Sequence, residues 1–229
     1  MNTSIKAADS VIVFDLDDTL YAEQDYKISG ILAVCRQIAQ LYPQQFSEPE
    51  LLSQANSQSS SWLDNLCSYC GLNSSEKQTL LWTYRLHDPD IHPLMPSEKI
   101  ISLVKHFFAS AIISDGRSLT QRLKINALGL GSCFDHILIS EAFTSEKPHP
   151  ERFNFIEAQY PDKQWIYIGD NPAKDFVTPN KQGWLTIGIR SRKQNIHPQD
   201  IETPPEYQPQ LWLTDLTELD PIFTDFKSG

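Results

Sequence analysis

Three features of this 229-residue sequence predict an α/β fold, a parallel sheet interrupted by a separate helical domain. Short apolar runs recur at wide spacing, helical patterns lie between most of them, and roughly a hundred residues after the first run carry helix signatures without a convincing strand. The runs are Val11 to Phe14, Ala111 to Ile113, Ile137 to Ile139, Trp165 to Ile168, Leu185 to Ile189 and, more weakly, Leu211 to Leu213. Most are apolar throughout rather than alternating, as befits strands buried on both faces. Ile100, Ile101, Val104, Phe107 and Phe108 follow the helix-starting Pro96-Ser97, and Leu119, Leu123 and Leu128 form a helical stripe closed by Gly129.

In the interrupting stretch, Ile28, Ile31, Leu32, Cys35 and Ile38 mark an amphipathic helix, and Ser47 with Pro49 starts another. Ser75-Glu76-Lys77-Gln78 reads as a capping-box start before Leu80, Leu81 and Tyr84. The predicted division is 21–93 for the helical domain and 1–20 with 94–229 for the sheet domain. Ser53 to Ser61 reads as an exposed loop or frayed helix, and Gln194 to Gln210 as a polar surface connection.

The composition is that of a folded globular chain: 40% apolar and 21% charged residues. A net charge of -10 repels nucleic-acid phosphates and anionic lipid heads, so neither is an expected partner. No leader segment or membrane-spanning run is legible, so a cytoplasmic location is expected. Cys35, Cys67, Cys70 and Cys133 are too scattered for a disulfide scaffold. Cys67-x-x-Cys70 lacks a second ligand pair, and Trp62, Leu63, Leu66, Cys67 and Cys70 share one face of a helix ending at Gly71, so core packing outweighs metal binding there. The six histidines, at 87, 92, 106, 136, 149 and 197, have no ligand spacing, and the glycine-rich nucleotide, zinc-protease and serine-hydrolase motifs are absent.

The chemistry gathers at strand ends. The first strand runs into Asp15-Leu16-Asp17-Asp18-Thr19, the second into Ser114-Asp115-Gly116, and the fourth into Gly169-Asp170-Asn171-Pro172-Ala173-Lys174-Asp175; Glu146-Lys147-Pro148 comes after the third. Each is ordinary alone. In an open parallel sheet, however, the carboxyl ends line one crevice. Together they supply a carboxylate nucleophile, a second acid for proton transfer, a hydroxyl and a cation for phosphoryl oxygens, and acids for a hard metal such as Mg²⁺.

Asp15-x-Asp17-x-Thr19, Ser114, Lys147 and Gly169-Asp170-x4-Asp175 resemble the four ordered motifs of the haloacid dehalogenase superfamily. The likeness spans about residues 10 to 190 and includes Gln121-Arg122-Leu123-Lys124, Leu128-Gly129-Leu130 and Phe134-Asp135-His136-Ile137. It implies a Rossmann-like core with a helical cap between the first two motifs, and a Mg²⁺-dependent phosphatase acting on a small phosphorylated metabolite. On that resemblance Asp15 is the nucleophile, and Asp17 is the general acid and base, in an environment expected to raise its pKa. Ser114, Asp115 and Lys147 meet the phosphate. Asp15, Asp170 and the main-chain carbonyl of Asp17 hold the metal, and Thr19 and Asp175 support from behind. In the cap, Tyr84 and Arg85, with Trp82 and His87 nearby, are candidate substrate contacts.

An acid at 17 is unlike the superfamily's dehalogenases and phosphonate-cleaving members, which lack it. A sugar phosphomutase with the same intermediate and a silent phosphate-binding module remain alternatives. The leading substrate classes are nucleoside monophosphates and sugar or sialic-acid-type phosphates. Asp115 stands where many relatives have Asn, and Pro172 and Pro179 are unusual in the last motif and the helix after it.

Overall fold

The computed structural model of the chain describes residues 6–190, 199 and 202–224. Six strands form one sheet: β1 (Ser10–Phe14), β2 (Ala109–Ser114), β3 (His136–Ile139), β4 (Gln164–Gly169), β5 (Leu185–Ile189) and β6 (Leu211–Leu213). Their order is β3-β2-β1-β4-β5-β6 and every neighbouring pair is parallel. This is an α/β, Rossmann-like sheet flanked by helices. Val11 pairs with Ala109 on one side and Trp165 on the other, so β1 is central and the strand order reverses beside it. The crevice of such a sheet opens at that reversal, outside the carboxyl ends.

Burial explains why these segments are strands. All five residues of β1 and all six of β2 are buried, the signature of a sheet covered on both faces. One side is packed by Phe153, Tyr167, Phe176, Trp165 and Trp184, the two indoles stacked with ring centres 4.6 Å apart. Further helices are α5 (Ser97–Val104), α6 (Ser118–Ala127), α7 (Ser140–Phe143), α8 (Glu151–Gln159), α9 (Val177–Lys181) and α10 (Leu219–Thr224). The stripe expected on α6 is only partly the buried one. Leu119 is 64% exposed, while Gln121, Lys124 and Ile125 face inward.

The described residues fall into two compact units, Gln24–Ile91 being the second. The sequence reading divides at 20/21 and 93/94; the structure divides at 23/24 and 91/92. Tyr21 bridges to Asp17 and Pro93, and the Leu94 N–H donates to the Leu20 carbonyl at 2.8 Å, which ties these residues to the sheet unit. The helices of the other region are α1 (Glu23–Leu41), α2 (Glu48–Ala55), α3 (Trp62–Cys70) and α4 (Ser74–Leu86). They bury a core of their own that includes Ile31, Val34, Ile38, Leu51, Trp62 and Leu66. Cys67 lies in that core, and α3 closes at Gly71 with φ of 66°, a left-handed end that glycine adopts without strain.

Two local expectations shift. The cap of α4 is Asn73, whose side chain accepts from the Ser75 and Glu76 amides while Glu76 reaches back to the Asn73 N–H; the box lies two residues before the one read from Ser75. Ser53 to Ala55 is helix, and only the remainder of the Ser/Gln-rich stretch is irregular. Of the polar segment from Gln194, residues 194–198, 200 and 201, His197 among them, lie outside the described residues; a 3-10 turn, Pro205–Tyr207, occupies part of the remainder.

Candidate active site

Asp15 begins where β1 ends, its N–H donating to the Ile168 carbonyl of β4 at 2.8 Å. The loop then turns at Asp18, with φ of 56°, and the Asp18 carboxylate accepts from the Glu23 N–H at 2.8 Å, starting α1. These contacts present Asp15 at the sheet edge. Lys147 lies across from it, fully buried, with Nζ 2.7 Å from Asp15 Oδ1, 2.6 Å from Asp175 Oδ1 and 3.2 Å from the Tyr167 hydroxyl. Burial alone would favour a neutral Lys147, but Asp15 and Asp175 hold its ammonium well above its usual value.

The acids outnumber that cation. Carboxylate oxygens of Asp15, Asp170 and Asp175 lie within 4.8 Å of one another, all buried. Burial, opposed by Lys147 and reinforced by Asp175, pushes Asp15 up to about 7, and burial with Asp175 and Asp15 drives Asp170 well above the carboxylate range. Asp175 is already engaged. Its Oδ2 accepts from the Asp170 and Asn171 amides at 3.2 and 2.8 Å, and its Oδ1 from Lys147. Gly169 makes that possible, because a Cβ there would stand 2.7 Å from Asp175 Oδ2. Asp170 Oδ2, by contrast, is buried without a hydrogen-bond partner.

A buried carboxylate oxygen with no donor, beside a second carboxylate, fits an oxygen-liganded divalent cation. Asp15 and Asp170 are the side chains suited to hold it, and Asp175 orients what surrounds them. Thr19 is fully buried, and its Oγ1 also lacks a partner.

Asp17 departs from expectation. Burial would raise its carboxyl, but the Lys124 ammonium, 2.7 Å from Oδ1, with hydrogen bonds from Tyr21 and Gln121, holds it below the usual range instead of above it. Its side chain is taken up by these donors, and it stands outside the carboxylate cluster of Asp15, Asp170 and Asp175. Glu23 enters the same field: burial and the Asp17 charge push it up to about 7.

Asp115, expected to meet the phosphate, has its carboxylate engaged by neighbouring cations. The carboxylate takes Arg152 Nη2 at 2.5 Å, Lys174 Nζ at 3.3 Å and the Lys147 N–H at 3.1 Å, and these cations and hydrogen bonds lower its pKa against burial. An ionised carboxylate repels phosphate, and this one ties the Lys147 main chain to the end of the second strand. Arg152, fully buried, also donates to the Ser114 carbonyl at 2.7 Å. Ser114 Oγ receives the Gln121 amide at 2.6 Å, which brings Ser114 and Asp17 onto one donor.

Tyr84 and Arg85 belong to the helical unit. The Tyr84 ring packs on Trp62 and Tyr26 at 5.2 and 5.6 Å, and Arg85 lies 5.3 Å from the Trp82 ring centre. Sequence reasoning gave no role to Tyr21, Glu23, Lys124, Gln121, Arg152, Tyr167 or Lys174. Of these, Gln121 and Lys124 lay in a stretch that the family resemblance included, and Lys174 in the acidic segment after the fourth strand.

Residues 12–189 match the family model of the haloacid dehalogenase-like hydrolases. The chain is 25% identical over 214 residues to a glyceraldehyde 3-phosphate phosphatase of Methanopyrus kandleri, covering 86% of this chain and 91% of that one. It is also 25% identical over 133 residues to the pyrimidine 5'-nucleotidase YjjG of Escherichia coli, covering 57% of this chain and 56% of that protein. The magnesium-bound crystal structure of the hydrolase YfnB from Bacillus subtilis superposes with a TM-score of 0.63 at 20% identity, over 95% of this chain and 99% of that one, a likeness of fold. No helix among the described residues is long and apolar enough to cross a membrane. The chain belongs to the haloacid dehalogenase-like hydrolases, on their phosphatase branch.

Proposed function

We propose that the chain is a Mg²⁺-dependent phosphatase of the cytoplasm that hydrolyses a small phosphomonoester through a phosphorylated Asp15. The observation that carries this reading is the partnerless, buried Asp170 Oδ2 beside an Asp15 whose ion-pair partner, Lys147, is shared with Asp175. When bound between Asp15 and Asp170, the cation would offset the repulsion between these carboxylates and an incoming phosphate.

Asp15 attacks phosphorus in line, and Lys147 and the Ser114 hydroxyl meet phosphoryl oxygens on which charge accumulates. Asp17 delivers a proton to the departing oxygen and then takes one from the water that releases phosphate. As it stands here, ionised and paired with Lys124, Asp17 is set for that second, basic half. The unit Gln24–Ile91 is proposed as the cap that distinguishes leaving groups, with Arg85 and Tyr84 as its candidate contacts. The names of the relatives favour sugar phosphates, triose phosphates foremost, with pyrimidine nucleoside monophosphates next.

The test is phosphate release from a panel of phosphomonoesters with and without Mg²⁺. Release is expected only with the cation, strongest on sugar phosphates, and Asp15→Asn is expected to lower it by more than about a thousandfold, as for loss of a nucleophile. Equal release without divalent cation, or full activity in Asp15→Asn, would contradict the reading.

A further inference from the structure

Asp17 is held by residues that lie outside its motif. Gln121, buried in the first turns of α6, places Nε2 at 2.7 Å from Asp17 Oδ2, 2.6 Å from Ser114 Oγ and 3.0 Å from the Asp115 carbonyl. An amide nitrogen has two hydrogens, so these three acceptors are spaced by one small group. Three residues on, and so on the same helix face, Lys124 Nζ lies 2.7 Å from Asp17 Oδ1 with its side chain 5% exposed; the Tyr21 hydroxyl donates to that same oxygen. Burying an amide and an ammonium on the inner face of a helix is unfavourable without partners. Here the partners are the residue proposed to move the proton and the residue proposed to meet the phosphoryl group. Gly116 leaves room for this, because a Cβ there would stand 3.1 Å from Gln121 Cδ.

We propose that Gln121 and Lys124 are positioning residues that fix the Asp17 carboxyl against Ser114, so that proton delivery to the leaving oxygen is aligned with phosphoryl transfer. The inference rests on the phosphatase reading above. In the first step the bond from phosphorus to the leaving oxygen breaks and its electron pair stays on that oxygen. Asp17, a carboxylate in the resting site, first takes up a proton from solvent; that proton joins the leaving oxygen, and the water that later cleaves the Asp15 phosphate returns a proton to Asp17. An alkoxide cannot leave without that proton, whereas a nitrophenolate is stable as the anion. Misplacing Asp17 therefore penalises alkyl esters far more than p-nitrophenyl phosphate.

The test compares kcat/KM, which ends with departure of the leaving group, for wild type, Gln121→Leu, Lys124→Met and Tyr21→Phe, with Asp17→Asn as reference. Each is assayed with Mg²⁺ on p-nitrophenyl phosphate and on the best alkyl phosphate of the wild-type panel. Gln121→Leu and Lys124→Met are expected to lose about 10²–10³-fold on the alkyl ester and less than about tenfold on the aryl ester, within the range of general acid catalysis. Tyr21→Phe, which keeps the ring and its packing, is expected to show the same split more weakly, and Lys124→Arg to recover part of the alkyl activity. A merely structural role would lower both esters alike; equal losses, or none on the alkyl ester, overturn the proposal. A wild type that hydrolyses neither ester with Mg²⁺ overturns the phosphatase reading, and the inference falls with it.

Discussion

Asp17 and Asp15 sit two residues apart and are driven in opposite directions, one held ionised by Lys124 and the other pushed up to about 7 chiefly by burial. The difference is one of neighbours: Asp17 meets a lysine, a tyrosine and the Gln121 amide, whereas Asp15, more deeply buried, shares Lys147 with Asp175. The raised groups set the sign of the stability's dependence on pH. Asp15 and Glu23, each at about 7, hold more protons folded than unfolded, so without metal their contribution falls as pH rises from about 4 to about 7. Melting temperature measured in chelator is expected to drop across that window, and saturating Mg²⁺, which favours ionised ligands, is expected to flatten the drop. A metal-free protein whose melting temperature climbs from pH 4 to 7 would contradict this electrostatic picture. At this scale the acids were legible, because a carboxylate at the end of an apolar strand is visible as a string. The orientation of Asp17 and Asp115 was not, since it is set by Lys124 and Arg152, which are distant in sequence.

Helix α6 shows what periodicity can and cannot say about an element. Its end was legible, at the left-handed Gly129, whereas its inward face was not. Leu119, Leu123 and Leu128 suggest an apolar stripe, yet two polar residues occupy the inner face because Asp17 and Ser114 supply their partners. The assignment predicts unequal mutational costs: Leu119→Gln is expected to change stability by less than about 0.5 kcal/mol, as at an exposed site. Ile125→Ala, 1% exposed, is expected to cost about 2–4 kcal/mol, and denaturant midpoints of the two variants distinguish the faces. The α4 start was missed by two residues for a related reason. Ser75 and Asn73 both cap well in principle, and only Asn73 is spaced three residues from Glu76, the reciprocal partner.

Across the whole molecule, the strand order carries the functional argument. The sheet reverses direction beside β1, so the ends of β1, β2 and β4 are neighbours, and the segment after β3 brings Lys147 to them. All six strands were legible as apolar runs, since a parallel sheet covered on both faces has no polar alternation to disguise it. The long strandless interval suggests a separate helical region, while the compact units divide at 23/24 and 91/92, and Tyr21 on the sheet side meets Asp17. The central claim, that four distant segments build one site for phosphorylating Asp15, is tested most directly by quenching turnover of a labelled phosphomonoester and locating the acyl phosphate by borohydride reduction and peptide mass spectrometry. The account predicts Mg²⁺-dependent modification at Asp15 and at no other acid. Turnover with no covalent phosphate, or with the modification at Asp17, Asp170 or Asp175, would contradict it.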